Sequence, residues 1–270
     1  MLIRTDASPQ IGTGHVMRCL ALAQHWQTLG GKVVFGMAES LPVIEGRLKS
    51  ENIPLRHIDI SNDAVQTIQL AKNLGAEWVV VDGYRFDYNY QAALKKAGLK
   101  VLFFDDYVHC TKYCADFVLN QNISAQQELY AAKDSTTSLL LGTRYSLLRK
   151  EFTTLKKQKH ETTPFRFFVS MGGIDPDNST ALVIKALAQN NFGEAVVIIG
   201  AENPHASELE LLIASLKTET EIRLIKNPES IAEWMNWADV AISAGGITAA
   251  ELAYIGVPNL ILILAENHRV

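Results

Sequence analysis

Short, uninterrupted apolar runs alternate along the whole chain with longer stretches in which apolar residues recur every three or four positions. The runs read as buried parallel strands and the periodic stretches as the helices that connect them. The pattern predicts strands over residues 2–5, 32–37, 55–58, 78–81, 101–104 and 117–119, with helices over 15–29, 43–51, 64–73 and 88–97. Along the first helix Val16, Leu20, Ala23 and Trp26 share one face, and Gly30-Gly31 and Gly98 stand where helices commonly end. From about 135 to 163 the alternation lapses, and 150–160 is Lys-rich without a strand signal. It resumes with strands over 165–171, 195–200, 221–225, 240–243 and 259–264, separated by helices over 179–188, 207–216, 230–237 and 248–255. The expected fold class is α/β, with two Rossmann-like domains whose parallel sheets face a cleft: residues 1–145, a linker over 146–164, and residues 165–270. The halves do not repeat one another in sequence.

Charge narrows the partners. Lys plus Arg number 25 against 29 Asp plus Glu, and this slightly acidic balance supplies no basic stripe for a nucleic acid. A bound nucleotide is therefore expected to be a small molecule. No run approaches the roughly 18 apolar residues of a membrane span, and the N-terminus carries Arg4 and Asp6 where a signal peptide needs an apolar stretch. A cytoplasmic protein without membrane contact is the expectation, with the oligomeric state open and a monomer favoured. Cys19, Cys110 and Cys114 are odd in number and irregularly spaced, so no disulfide framework is expected. His109, Cys110 and Cys114 offer three metal ligands with no second ligand pair nearby, so neither a metal nor a cofactor is expected.

Three glycine-rich turns carry the candidate chemistry. Ile11-Gly12-Thr13-Gly14-His15-Val16-Met17-Arg18 joins the first strand to the first helix, but Met17 stands where a dinucleotide fingerprint needs Gly or Ala. Gly12 and Gly14 let a ligand approach the backbone, and His15 opens the helix. The positive end of the helix dipole disfavours imidazolium, which suits a general base. The alternative is a histidine that caps the helix or packs in the core. Ser170-Met171-Gly172-Gly173-Ile174-Asp175 is followed by a helix whose amino end can face a ligand, or it is simply a tight turn. In Ser243-Ala244-Gly245-Gly246-Ile247-Thr248-Ala249-Ala250-Glu251, amides at the helix start can take a diphosphate, Thr248 can add a hydroxyl donor, and Glu251 can reach a ribose diol. No Gly-Lys-Ser or Gly-Lys-Thr follows, which favours sugar nucleotides over ATP hydrolysis. Asp82-Gly83-Tyr84 and Asp105-Asp106-Tyr107 place carboxylates and phenols after buried strands, as substrate contacts or as capping groups. Trp234 and Trp237 read as helix packing.

Arg4-Thr5-Asp6 with 11–18, Asp82-Gly83-Tyr84, Phe104-Asp105-Asp106, Leu119-Asn120, 171–175, Ser243-Ala244-Gly245-Gly246 with Glu251, and Ala265-Glu266-Asn267 together resemble one family over essentially the whole chain. This family is the UDP-2,4-diacetamido-2,4,6-trideoxy-β-L-altropyranose hydrolases of pseudaminic acid biosynthesis. Its broader relatives are the two-domain GT-B glycosyltransferases of the lipid-II N-acetylglucosaminyltransferase type. The resemblance implies metal-free release of UDP by water attack at the anomeric carbon, with inversion. It implies that His15, Tyr84 and Asn267 are catalytic positions, and that Asp6, Gly12, Gly14, Arg18, Asp105, Asp106, Gly172, Gly173, Gly245, Gly246, Thr248 and Glu251 hold the substrate. The family pattern has Asn-Gln where Asn267-His268 stands, and it continues with another helical segment where this chain stops at Val270, so a truncated second domain is expected. The alternatives are a UDP-sugar glycosyltransferase on the same fold, for which no apolar, basic docking patch is visible, and a non-catalytic nucleotide-sugar binding protein.

Overall fold

In the computed structural model, which describes residues 1–155, 164–190, 193–228 and 230–264, two compact units divide after Arg149. The first contains strands β1 (Leu2–Arg4), β2 (Val34–Met37), β3 (Leu55–His57), β4 (Trp78–Asp82), β5 (Lys100–Phe104), β6 (Phe117–Asn120) and β7 (Ser138–Leu141). They form an all-parallel sheet in the order β3-β2-β1-β4-β5-β6-β7. The connecting helices are α1 (Gly14–Thr28), α2 (Pro42–Ser50), α3 (Asp63–Asn73) and α4 (Tyr88–Lys96). Strand side chains alternate between two cores. Ile3, Val80, Phe104 and Leu119 pack with Val16 and Leu20 of α1 and Ile44 and Leu48 of α2. Leu2, Val79, Val81, Val101, Phe103 and Val118 pack with Ala71 of α3 and Leu94 of α4. Because both faces are covered, the strands are apolar at consecutive positions, each fully buried aliphatic side chain contributing about 1.5–3 kcal/mol.

The second unit contains α5 (Lys150–Thr153), β8 (Arg166–Ser170), α6 (Ser179–Gln189), β9 (Glu194–Ile199), α7 (Ala206–Ser215), β10 (Glu221–Lys226), α8 (Ile231–Trp237), β11 (Val240–Ala244), α9 (Ile247–Ile255) and β12 (Asn259–Leu262). Its parallel sheet runs β10-β9-β8-β11-β12. Phe167, Val169, Val197 and Ile199 meet Ile184 and Leu187 of α6 and Leu209 of α7, while Phe168, Val196 and Ile198 meet Met235 of α8 and Leu252 of α9. Among the described residues no helix is long and apolar enough to cross a membrane.

Two elements fall where the hydrophobic pattern lapses. β7 is a half-exposed edge strand, so it lacks the buried run by which the inner strands are read. α5 lies inside the expected linker, yet its Phe152 is buried in the core of the second unit. In both sheets successive connections turn in opposite directions from a central strand. The resulting crevices lie outside the carboxyl ends of β1 and β4, and of β8 and β11, which is where open α/β sheets take ligands.

Candidate active site

Residues 5–13 lead from β1 to α1, and the segment closes on itself where Gly12 N donates to Ser8 O at 2.8 Å. Gly12 has φ +77°, a conformation that L side chains rarely adopt. This turn brings α1 down with His15 in its first turn and Arg18 one turn further on, both buried against the end of β4. There the last strand residue, Asp82, is fully buried. Its Oδ1 lies 2.7 Å from His15 Nδ1 and accepts from Arg18 Nη2 at 2.6 Å. Its Oδ2 accepts from Arg18 Nε at 2.6 Å and from the Cys19 thiol at 3.4 Å. Burial alone would raise the Asp82 carboxyl, but Arg18 and then His15 outweigh it and hold the group well below the usual carboxylate range. Burial and the Asp82 charge push the Cys19 thiol far up, so it stays protonated.

Arg18 continues the network outward. Its Nη1 donates to Asp106 Oδ1, and Asp106 Oδ2 accepts from the Tyr84 hydroxyl at 2.8 Å. Burial, followed by the Asp106 charge, raises the Tyr84 phenol far above its ordinary value, so it acts as a donor. The Tyr84 ring meets His15 edge-on at 4.7 Å. His15 is thus fixed by a carboxylate at Nδ1 and an aromatic ring at its side. Arg18 Nη2 also lies 3.1 Å from Nδ1, but the shorter contact with an ionised acceptor assigns the Nδ1 proton to the bond with Asp82. That tautomer leaves the Nε2 lone pair to accept a proton. Arg18, expected as a substrate contact, instead holds Asp82 and Asp106 in register.

Several expected contacts are corrected. Asp6 is buried, and its carboxylate accepts from Arg4 Nη1 (2.7 Å), Ala38 N (2.7 Å), Glu39 N (3.2 Å) and Arg85 Nη2 (2.8 Å), so it braces the loop after β2. Arg4 and Arg85 also bind Asp63, which makes this a closed network of two cations and two carboxylates. Asp105 is buried beneath the phenols of Tyr113 (2.9 Å) and Tyr130 (2.7 Å) and the His109 ring (2.7 Å), leaving it no face for a ligand. In the second unit the start of α6 is closed, because Asp175 accepts from Ser179 N (3.0 Å) and Thr180 N (2.8 Å), the amides expected to face an anion. Gly172 and Gly173 form a turn that packs on the end of β9, where Gly200 N donates to Gly173 O at 3.1 Å. Glu251 is fully buried in α9, which does not fit a carboxylate reaching a ribose. Gly245, Gly246 and Thr248 do stand at a helix start that no side chain caps among the described residues, and Gly246 has φ +85°. Asn267 lies outside the described residues.

The three imagined metal ligands turn to protein oxygens. His109 bonds Asp105 and Phe86 O, Cys110 Sγ points to Phe86 O, and Cys114 Sγ to Tyr88 O. Among the described residues no group of three His, Cys, Asp or Glu could hold a metal ion.

Two tests arise here. Asp175→Ala removes the acceptor at the start of α6 and lowers stability by about 1 kcal/mol in denaturant melts; an unchanged midpoint would contradict the capping role. His109 has an acceptor at each ring nitrogen, and although burial opposes its charge, the Asp105 bond raises it to about 10. Its contribution is fully present below the unfolded value of about 6.5 and is lost as pH rises through the folded one. Thermal melts are therefore expected to weaken between roughly pH 6.5 and 10, and this component disappears in His109→Gln.

No family model matches the chain. Solved structures place its fold in the GT-B class of two Rossmann-like α/β units: MurG of Acinetobacter baumannii superposes with a TM-score of 0.62 at 17% identity, covering 99% of this chain and 80% of that one. HepE of Anabaena, in complex with UDP-glucose, gives 0.60 at 15% identity over 96% and 79%. The resemblance seen in the sequence is borne out at the level of relatives. The chain is 29% identical to the UDP-2,4-diacetamido-2,4,6-trideoxy-β-L-altropyranose hydrolase of Campylobacter jejuni over 92% of its own length and 85% of that protein. It is also 25% identical, over 99% of its length, to an uncharacterized protein of Methanocaldococcus jannaschii, of which it spans only 56%.

Proposed function

We propose that the chain is an enzyme that hydrolyses a UDP-sugar at the anomeric carbon. The observation that carries this reading is the His15–Asp82 pair at the carboxyl ends of β1 and β4. Water gives its proton to His15 Nε2 as its oxygen bonds to C1, and the electrons of the C1–O bond leave on UDP, so C1 inverts. UDP is a good leaving group, and an oriented base with donors for the diphosphate suffices. For those donors we propose the amides at Gly245, Gly246 and the start of α9, with the Thr248 hydroxyl. Gly12, Gly14 and Asp106 are proposed to border the sugar beside His15, with Gly172 and Gly173 as backbone contacts and Tyr84 and Asn267 as the second and third catalytic positions.

The sugar we propose is 2,4-diacetamido-2,4,6-trideoxy-β-L-altropyranose, in pseudaminic acid biosynthesis. The Campylobacter relative supports it by name, and the UDP-glucose complex of HepE supports the nucleotide. A glycosyltransferase remains the second reading because the GT-B neighbours include a glycosyltransferase of Rickettsia africae, with a TM-score of 0.60. The test is UDP release from this sugar nucleotide with no acceptor present. Steady turnover is expected. Release only when an acceptor is added would favour the transferase, and binding without release would mark a non-catalytic binder.

A further inference from the structure

Tyr107 is a large ring held 52% exposed beside Tyr84, the ring that packs on the candidate base. Its centroid lies 5.1 Å from that of Tyr84, whose ring in turn meets His15 at 4.7 Å. The following residue, Val108, has φ +60°, which a β-branched residue adopts only under constraint. The constraint is visible: Val108 N and His109 N donate to Asp105 at 3.0 and 3.4 Å, and the Asp105 carboxylate is itself fixed by Tyr113, Tyr130 and His109. His109 Nε2 faces Phe86 O at 3.1 Å, tying this frame to the segment that bears Tyr84. A buried polar frame thus maintains a strained turn whose outward product is a presented tyrosine, and backbone strain of this kind concentrates at functional sites.

We propose that Tyr107 is a specificity-determining residue which, with Tyr84, forms an aromatic wall beside His15 for the apolar substituents of the sugar. This rests on the UDP-sugar reading and names the part of the sugar that is sensed. A deoxy methyl or the methyl of an N-acetyl group packs on ring faces without losing a hydrogen bond, whereas a ring hydroxyl in the same place gives up water for a surface that returns little. The wall therefore favours deoxy, N-acetylated sugars over fully hydroxylated hexoses.

The test is calorimetry in a His15→Asn background, which keeps the sugar nucleotide intact, with UDP, UDP-glucose and UDP-2,4-diacetamido-2,4,6-trideoxy-β-L-altropyranose as probes. Tyr107→Ala is expected to weaken the diacetamido compound about tenfold, the size of effect one apolar group has in a recognition pocket. UDP and UDP-glucose should change less than twofold, and Tyr107→Phe should bind like the parent. Equal weakening of all three probes, no weakening of any, or no binding of any to the parent would overturn the proposal. The hydrolysis reading fails separately: if the native chain releases no UDP yet the tenfold selectivity holds, the wall stands and the reaction does not.

Discussion

Under the proposed hydrolysis, His15→Ala is expected to slow UDP release, lowering kcat by about 10²–10⁴, the usual contribution of a positioned general base. Affinity for UDP itself stays within twofold, because the proposed diphosphate donors belong to the start of α9 in the other unit. The two effects are read by a UDP-release assay and by calorimetry. Normal turnover in the variant would remove His15 from the mechanism, whereas loss of UDP binding would show that the histidine serves the fold or the nucleotide. His15→Asn behaves in the same way, since an amide of similar reach cannot take up the proton.

Asp82 gives the second large effect, and its two substitutions separate two roles. Asp82→Ala leaves Arg18 and His15 buried without their carboxylate; breaking a buried pair of this kind costs about 3–5 kcal/mol. For a unit of this size, the melting temperature should fall by roughly 6–20 °C. Asp82→Asn keeps the shape, so the melting temperature falls less. The amide no longer selects the Nδ1–H tautomer of His15, so under the proposed hydrolysis kcat is expected to drop by about 10²–10⁴ while KM for the sugar nucleotide changes little. That split marks a positioning residue, because a purely structural role would lower active protein without a specific fall in kcat. Acid sensitivity follows from the depressed carboxyl: its stabilisation is present above the unfolded value of about 3.9 and is lost as pH falls toward the folded one. Melts of the native chain should therefore weaken below about pH 4.

The sequence made most of the fold legible because both sheets are covered on both faces. Val79, Val80 and Val81 are all buried, and such a run has few readings other than an inner parallel strand. β7 was not legible, since an edge strand with half-exposed positions is recognised only by its pairing with β6. The site divides along the same line. His15 could be singled out because glycines precede it at a strand-to-helix turn. Its partner could not be read from spacing, because Asp82 is separated from it by 67 positions and meets it only when β4 lies beside β1. A carboxylate ending the apolar run Trp78-Val79-Val80-Val81 was the available signal, as such a position points into the crevice.

Carboxylates were the least legible group. Asp6, Asp105, Asp175 and Glu251 all follow glycines or strands in the manner of ligand contacts, yet Asp6, Asp105 and Asp175 are consumed by buried partners and Glu251 lies within the core. An acidic side chain near a strand end serves a ligand or the loop around it according to how many donors fold onto it. Those donors come from elsewhere in the chain, as Tyr130 does for Asp105.

The most direct test of the central claim is proton NMR of UDP-2,4-diacetamido-2,4,6-trideoxy-β-L-altropyranose turned over in ¹⁸O-labelled water, with mass spectrometry of the products. The account predicts that the first-formed sugar has the inverted anomeric configuration and that UDP leaves without label, as bond breakage at C1 requires. Label in UDP, or a first-formed sugar of retained configuration, would contradict water attack at the anomeric carbon from His15.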